Sequence, residues 1–412
     1  MGESTFVKPR SSVTAPLNRV RNLRLGIDIP MVAVVLILFS FGALMVYSAS
    51  WQYSYQAGLQ PYDLILKQIG YGLLGIAMAV VISTIDYHRY SRWVVLGIIV
   101  TLIVLIAVLF TTGRRAFISG SIQPSEPAKL MILIYLAFWL YSKRDVLNQI
   151  SLGLMPMGAI LGLCAGLVLL QPDISAAITI FALGGLLCFL AGGDWKQILL
   201  VLIVAFALGF IIVKISPTAE TRITDYISGL NDPSNASDHL KWSMQAMVNG
   251  GFFGVGIGKS TAKFAGLPVA PTDSIFAVIA EETGLLGASV VIILYIVFLW
   301  RGLSIANRAP DLLGKLLAGG ITLWVVIEAV INMGVLVNLL PFAGNALPLI
   351  SAGGSNLVVT FCGIGLIMSV ARASNQNRSS KTDGRSYSAV VDLRRRDRRG
   401  RLPRSNRFTD TR

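Results

Sequence analysis

Long apolar runs recur along this chain and constrain its fold more than any other feature of the sequence. Runs of roughly twenty residues, separated by polar connections, match the length at which a helix crosses a bilayer. A helix also satisfies its own backbone hydrogen bonds where water is absent. With 54% hydrophobic residues, 14% charged residues and a mean hydropathy of +0.68, the chain lies outside the range of soluble domains. The sequence therefore predicts an all-α, polytopic membrane protein.

The connections between these runs set the predicted topology. About ten runs are long enough to span the bilayer, and the short connections 86–92, 142–145 and 301–315 carry Lys and Arg. Such residues accumulate on the cytoplasmic side of membrane helices. Both termini are therefore expected in the cytoplasm, with a long extracytoplasmic loop between helices 7 and 8.

Three regions follow from this topology. Residues 1–28 form a basic cytoplasmic tail, residues 29–372 form the membrane domain, and residues 373–412 form an arginine-rich cytoplasmic tail. Residues 215–273 of the membrane domain make up the extracytoplasmic loop. Both tails are polar and charged, and because such segments bury too little apolar surface to fold, they are predicted to be disordered.

The charge, the cysteines and the histidines argue against three other kinds of protein. The formal net charge is +14, but arginines crowd into the tails, where membrane topology explains them better than nucleic-acid binding does. Cys164, Cys188 and Cys362 lie far apart in apolar runs, which indicates small buried hydrophobes rather than a disulfide framework. His88 and His239 belong to no Cys/His cluster, which argues against a histidine-based metal site.

One stretch, residues 249–285, combines most of the unusual chemistry of the sequence. It begins with a glycine-rich loop, which needs a flexible backbone, and continues through Lys259 and Lys263 to Asp273. Asp273 stands where a long apolar helix begins, and either it or Thr272 would cap that helix by accepting hydrogen bonds from its first turn. The nearby lysines, and two glutamates about two turns deeper, favour a functional site at the membrane edge instead.

Further charged residues stand in other predicted spans. Glu126 and Lys129 share one helix face, so they either pair with each other or, beside two arginines of the preceding loop, attract a negatively charged headgroup. Asp173, in a Gln-Pro-Asp turn, is a candidate cap of the following helix. Glu328 and Asn332 form an i,i+4 pair that either bridges helices or lines a site.

Several short motifs, in this order along the chain, resemble those of the SEDS family, the FtsW, RodA and SpoVE proteins of bacterial wall synthesis. The resemblance covers nearly all of residues 29–372, and the first motif and the basic tails favour an FtsW-like member over a RodA-like one. The motifs are Met45-Val-Tyr-Ser-Ala-Ser50, Gln123-Pro-Ser-Glu-x-x-Lys129, Gln171-Pro-Asp173, Asn249-Gly-Gly-Phe-Phe-Gly-Val-Gly-Ile-Gly-Lys-Ser260, Leu267-Pro-x-x-x-Thr-Asp273, Ile275-Phe-Ala-Val-Ile-Ala-Glu-Glu282 and Leu347-Pro-Leu-Ile-Ser-x-Gly-Gly-Ser355.

The resemblance implies a peptidoglycan glycosyltransferase that polymerises lipid II into β-1,4 glycan strands at the outer face of the bacterial cytoplasmic membrane, in division or elongation. Such a protein would work with a class B penicillin-binding protein. Asp273 falls on the family's catalytic aspartate and would act as the general base in an inverting transfer. The residues expected to hold or orient the substrate and its pyrophosphate are Arg114, Arg115, Glu126, Lys129, Asp173, Lys259, Ser260, Lys263, Glu281, Ser351 and Ser355. No cofactor is evident, a divalent cation such as Mg²⁺ or Mn²⁺ is compatible with the chemistry, and its ligands stay unassigned.

Three positions beside Asp273 depart from the family pattern. The family usually has Pro-Glu-Ala-His-Thr-Asp-Phe where this chain has Pro-Val-Ala-Pro-Thr-Asp-Ser, so Val269, Pro271 and Ser274 replace a glutamate, a histidine and a phenylalanine. These changes bear on the substrate and on the level of activity more than on the fold.

Two other functions stay open. A transporter that moves the lipid-linked precursor across the bilayer would also use ionisable groups within a span, such as Glu328. A non-catalytic scaffold that positions a penicillin-binding protein would tolerate the departures around Asp273. Without the resemblance, the residues indicate only a polytopic membrane protein with a charged, glycine-rich site facing outwards.

Overall fold

The computed structural model is almost entirely helical. It describes residues 27–396 except positions 57, 59, 61, 112–122, 147–154, 172, 233–235 and scattered positions between 195 and 215. No β-strand occurs in this described part of the chain. Its α-helices of more than one turn are α1 (Ile29–Gln56), α2 (Asp63–Thr84), α3 (Ser91–Thr111), α4 (Ser125–Ser142), α5 (Met155–Leu170), α6 (Ile174–Leu190), α7 (Pro217–Asn231), α8 (Asp238–Gly250), α9 (Ile275–Asn307), α10 (Leu312–Leu336) and α11 (Gly354–Arg396).

Most of the predicted membrane spans coincide with these helices. Among the described residues, α1, α2, α3, α9, α10 and α11 contain stretches long and apolar enough to cross a membrane. The helices α5 and α6 are apolar but shorter, with 16 and 17 residues. Helix α4 is less apolar because Glu126 and Lys129 lie near its start. The predicted seventh span falls largely on positions between 195 and 215 that lie outside the described residues, so the count of ten stays a prediction.

The helices form a bundle with α10 and α11 at its centre. The apolar stretches of α10 and α11 are 67% and 78% buried inside the protein, against 17% for α2 and 22% for α3. Large apolar side chains on the outer helices, such as Leu73 of α2 and Ile103 of α3, are 62% and 59% exposed. An apolar perimeter of this kind suits contact with lipid, and the chain is a multi-pass membrane protein.

Helix α9 is broken in its first half, and the glycine-rich loop packs against the break. Gly284 has φ +68° and ψ −171°, values that end the regular helix there. Main-chain hydrogen bonds then join the loop to α9, from Val255 N to Glu281 O and from Gly256 N to Glu282 O, each at 3.0 Å. These bonds satisfy carbonyl groups that the broken helix leaves free, which non-helical backbone at membrane depth requires.

The predicted extracytoplasmic loop is itself largely helical. It contains α7, α8 and a single turn, Ala262–Ala265. Serines cap the two longer helices: Ser216 accepts a hydrogen bond from Ala219 N, and Ser237 accepts one from Leu240 N, each at 3.4 Å. The loop is therefore an ordered element that can position side chains over the end of the bundle.

Neither of the two candidate caps, Thr272 and Asp273, occupies the N-cap position of α9. The N-cap position is taken by Ser274, one residue after Asp273, and its side chain makes no hydrogen bond to the helix. The Thr272 hydroxyl donates to the carbonyl of Val269 at 3.2 Å. Thr272 and Asp273 therefore belong to a separate turn that precedes the helix.

Helix α11 continues into the predicted C-terminal tail. Its membrane-spanning part is Gly354–Asn377, but the helix runs to Arg396. The sequence predicts disorder from residue 373 because the composition turns polar there. The described backbone is helical as far as Arg396, and the disorder of the tails stays a prediction; residues 397–412, like residues 1–26, lie outside the described residues.

Candidate functional site

Asp273 lies in a turn that is anchored to α10 and to the segment between α10 and α11. The main-chain oxygen of Asp273 accepts a hydrogen bond from the side chain of Asn332 in α10 at 2.9 Å. The Ser351 hydroxyl donates to the carbonyl of the residue before Asp273 at 2.6 Å, and Ala352 N donates to the Pro271 carbonyl at 2.9 Å. These contacts fix the position of the turn relative to the central helices.

Asp273 is half-buried, and its carboxylate lies against a glycine. A Cβ atom added to Gly344 would be 3.1 Å from Oδ2 of Asp273. The segment between α10 and α11 therefore passes close to the carboxylate, which a bulkier residue at position 344 would crowd. The residue as a whole is partly shielded from water.

A histidine that the sequence did not single out meets this turn. Nε2 of His239, from α8, lies 2.7 Å from the hydroxyl of Ser274, the residue after Asp273. Burial lowers the pKa of His239 to about 4 from its ordinary value of 6.5. The imidazole is therefore neutral near pH 7. Because His239 stands 35 positions before Ser274 in the sequence, no local pattern could have predicted this contact.

Lys129 lies between two buried carboxylates. Its ammonium group donates to Glu126 at 2.9 Å and also to Glu328 of α10. The side chains of Lys129 and Glu328 are each 1% exposed. Trp324 Nε1 donates to Glu328 at 2.8 Å, and Asn356 Nδ2 donates to Glu126 at 2.8 Å. Of the two predicted roles for Glu126 and Lys129, the structure thus has the ion pair, enlarged by a third charge.

Asp173 caps α6, as the Gln-Pro-Asp turn suggested. Its Oδ1 accepts a hydrogen bond from Ala176 N at 3.2 Å. Its Oδ2 accepts from the Ser125 hydroxyl at 2.8 Å and from the Gln123 amide at 2.6 Å. Gln123 N in turn donates to the Ser355 hydroxyl at 3.1 Å. Two predicted site residues, Asp173 and Ser355, are thus joined at the starts of α4, α6 and α11.

Lys263 holds the end of the glycine-rich loop to α1 and α9. Its ammonium group donates to Glu282 at 2.8 Å, to the Ser48 hydroxyl at 3.1 Å and to the Gly258 carbonyl at 2.9 Å. The Ser48 hydroxyl also donates to Glu282 at 2.6 Å. Both charged side chains are at most 2% exposed. The positive charge of Lys263 is therefore engaged inside the protein.

Glu281 has a similar anchoring position. It accepts hydrogen bonds from Thr261 N at 3.1 Å and from Ala262 N at 3.2 Å, at the start of the single helical turn. It also accepts one from the Ser260 hydroxyl. The predicted site residues Ser260 and Glu281 thus contact each other, and they hold the loop against α9.

The remaining predicted cations of the site are Lys259, Arg114 and Arg115. Lys259 is exposed on the glycine-rich loop. Arg114 and Arg115 lie outside the described residues. Within the described ranges, no three His, Cys, Asp or Glu side chains come close enough together to hold a metal ion.

The structure sorts the predicted site into neighbouring groups at one end of the bundle. Ser351 donates a hydrogen bond to the turn that carries Asp273. Asp173 and Ser355 are joined at the helix starts, and Glu126 and Lys129 belong to the buried charge cluster. Sequence reasoning assigned no role to four neutral partners that connect these groups to the fold, namely Ser48, Gln123, His239 and Asn356. Asn332, which the sequence named as bridging helices or lining a site, connects α10 to the Asp273 turn.

Comparison with known sequences identifies relatives over most of the chain. A family model described as "Cell cycle protein", for FtsW, RodA and SpoVE, matches residues 29–376. The chain is 38% identical over 360 residues to "Probable peptidoglycan glycosyltransferase FtsW" of Thioalkalivibrio sulfidiphilus, covering 84% of this chain and 90% of that protein. It is 31% identical over 357 residues to "Stage V sporulation protein E" of Bacillus subtilis, covering 84% and 97%.

Solved structures show the same fold. The rod shape determining protein RodA of Thermus thermophilus matches with a TM-score of 0.62 and 26% identity, covering 84% of this chain and 97% of that chain. A chain of a peptidoglycan synthase complex that coordinates polymerization and crosslinking matches with a TM-score of 0.67 and 25% identity, covering 85% and 99%.

Proposed function

Because the chain belongs to the FtsW, RodA and SpoVE family of cell cycle proteins, we propose that it is a peptidoglycan glycosyltransferase of the FtsW type. It joins lipid II units into β-1,4 glycan strands at the outer face of the bacterial cytoplasmic membrane. The observation that supports an active site is the position of Asp273. This residue is half-buried in an anchored turn at one end of the membrane bundle.

Asp273 is the general base of the proposed reaction. It accepts the proton of the acceptor's 4-hydroxyl while that oxygen attacks the anomeric carbon of the lipid-linked donor. The bond from the anomeric carbon to the pyrophosphate oxygen breaks, and the lipid pyrophosphate leaves with the electron pair. The configuration at the anomeric carbon inverts.

The departing pyrophosphate needs positive charge nearby. Lys259, exposed on the glycine-rich loop, is better placed for this than Lys129 or Lys263, whose ammonium groups face buried carboxylates. Arg114 and Arg115 remain candidates from the sequence. A divalent cation, if one takes part, would share its ligands between protein and pyrophosphate. The other predicted site residues shape the site, since each forms hydrogen bonds to other parts of the protein. They are Asp173, Ser260, Glu281, Ser351 and Ser355.

A class B penicillin-binding protein is the proposed partner. The support is that one protein of this fold was solved as part of a peptidoglycan synthase complex.

The geometry gives less support to the transporter hypothesis than to the glycosyltransferase. Its best candidate group, Glu328, is held by Lys129 and Trp324 in the bundle interior.

The test is polymerisation of purified lipid II by the full-length protein, with and without a class B penicillin-binding protein and with divalent cation, followed on a gel. We expect Asp273→Asn to lower the rate roughly 100-fold or more, the range for loss of a general base. Glu220→Gln, which changes an exposed carboxylate of α7, should have no effect.

Two results would contradict the proposal at different points. Normal polymer from Asp273→Asn would remove Asp273 as the base. Wild-type protein that makes no polymer under any of these conditions would favour the scaffold, or the transporter if labelled precursor crosses vesicle membranes.

A further inference from the structure

The turn that carries Asp273 contains a residue in an unfavourable conformation. Val269 has φ +49°, a conformation that is strained for a β-branched residue and persists only where the surroundings hold it. The turn closes with hydrogen bonds from Thr272 N to Val269 O at 3.0 Å and from Ser274 N to Val269 O at 3.5 Å. Contacts from outside are therefore needed to keep the turn in this shape.

One of these contacts comes from His239 of α8, through the hydroxyl of Ser274. The Ser274 hydroxyl lies 2.6 Å from the Pro268 carbonyl and 2.7 Å from Nε2 of His239. A hydroxyl has one hydrogen, and a carbonyl can only accept, so Ser274 donates to Pro268. The hydrogen of the second bond must then come from Nε2 of His239. The imidazole therefore acts as a donor that clamps Ser274, and through it the turn.

His239 also lines a pocket among the elements of the predicted extracytoplasmic loop. The pocket lies between α7, α8 and the segment after α10, and Arg222, Tyr226 and Phe342 line it with His239. The Phe342 ring packs against the imidazole with 4.5 Å between ring centroids. His239 therefore connects the ordered extracytoplasmic loop to the residue beside Asp273.

We propose that His239 is a positioning residue of this enzyme: its Nε2–H holds Ser274, and Ser274 holds the Asp273 carboxylate where it meets the acceptor hydroxyl. The inference rests on the proposed function and deepens it. His239 takes no proton from the substrate. Small displacements of a catalytic group lower the rate of the chemical step steeply, so the effect should be seen in kcat rather than in KM.

The experiment compares His239→Ala, His239→Gln, Ser274→Ala and the double variant His239→Ala/Ser274→Ala in the lipid II assay with full-length protein. We expect kcat to fall roughly 10- to 100-fold in His239→Ala, with KM little changed. His239→Gln should recover most of the activity because its amide can donate to the same hydroxyl. The double variant should be no slower than the slower single one, since both changes remove one shared contact.

Two controls separate positioning from general damage. Lys241→Ala changes an exposed residue of α8 and should leave kcat at the wild-type value. Thermal unfolding of each variant in detergent shows whether the fold survives, and a fall in kcat counts only for variants that unfold near the wild-type temperature. His239→Gln provides the second route if His239→Ala does not fold.

The outcomes distinguish this inference from the proposed function. Wild-type kcat in His239→Ala, equal loss in well-folded His239→Gln, or multiplying losses in the double variant would each overturn the role of His239 while Asp273→Asn stays inactive. Polymer formation by Asp273→Asn would instead show that Asp273 is not the base. Absence of polymer with the wild type would contradict the proposed function. Either result would also remove the positioning role of His239.

Discussion

At the scale of single residues, three buried charges of α4 and α10 contact one another inside the bundle. Lys129 lies between Glu126 and Glu328, and Oε2 of Glu328 is buried without a hydrogen-bond partner in the part of the chain that the structure describes. Moving charges out of water is costly, so such a group is stable only while its partners remain together. The cluster therefore links α4 to α10 and depends strongly on its one cation.

Lys129→Met should destabilise the protein by about 3–5 kcal/mol, the usual range when one partner of a buried ion pair is removed. The physical reason is that two carboxylates then face each other without a cation. Thermal unfolding in detergent measures the effect. The matched control is Lys143→Met in the exposed turn after α4, and similar unfolding temperatures for the two variants would show that the cluster does not stabilise the fold. Adding Glu328→Gln to Lys129→Met should restore part of the loss.

The stability of the protein should fall in mild acid because of His239. Burial lowers its pKa to about 4 in the folded protein, against 6.5 ordinarily. Below pH 6.5 the unfolded chain therefore binds a proton that the folded protein does not bind, which favours unfolding. By pH 5 the contribution is about 2 kcal/mol, at about 1.4 kcal/mol for each pKa unit.

The measurement is the unfolding temperature from pH 7.5 to pH 5 for the wild type and for His239→Gln, which does not titrate. The wild type should lose more stability than the variant over this range. Parallel curves would mean that His239 has an ordinary pKa.

At the scale of elements, the break in α9 explains why the sequence before it is so rich in glycine. A Cβ atom on Gly254, whose φ is +80°, would lie 2.2 Å from the carbonyl oxygen of Glu282. A Cβ atom on Gly284 would lie 2.4 Å from Gly254 N. Only residues without side chains allow the loop and the broken helix to approach this closely and exchange main-chain hydrogen bonds.

Gly254→Ala should therefore be more harmful than Gly258→Ala. Gly258 also has a positive φ, +86°, but a Cβ atom there meets nothing within 4 Å. Both variants carry the cost of a left-handed residue, about 1–2 kcal/mol, and only Gly254→Ala must also displace backbone. We expect Gly254→Ala to lose polymerisation and to be cleaved faster by protease at the loop. Equal behaviour of the two variants would contradict close docking of the loop.

At the scale of the whole molecule, the polar clusters gather at the two ends of an apolar bundle. The Asp273 turn and the glycine-rich loop are at one end, and the turn after α6 is at the other.

The native cysteines lie within helices. In the described part of the chain, Cys164 and Cys188 are buried and Cys362 is half-buried. Such thiols react slowly with reagents in water, so the wild-type chain gives a low background for labelling.

Cysteines introduced at the two ends should be labelled from opposite sides of the membrane. Lys259→Cys, in the exposed loop, should react with a membrane-impermeant maleimide on intact spheroplasts. Asp194→Cys, in the exposed turn after α6, should react only after permeabilisation. Labelling of both positions from outside would contradict the predicted topology and the placement of the site at the outer face.

The elements of this fold were largely predictable because their causes are local. A run of apolar residues determines a membrane helix wherever it lies, and the Asp173 cap depends on neighbouring residues only. The pairing of Glu126 with Lys129 was likewise foreseeable, since three positions along a helix bring two side chains together. The choice of Asp273 as the base rests on the family motifs and stays a prediction.

The connections between these elements were not predictable from the sequence. Lys129 meets Glu328 across 199 positions, and Ser48 meets Glu282 across 234. Thr272 and Asp273, the two candidate caps of α9, lie in a turn that distant residues hold. The sequence by itself determined the helices and the chemical types at their ends. Only the tertiary structure decided which polar groups meet, because hydrogen bonds and ion pairs act over a few ångströms and helix packing sets those distances.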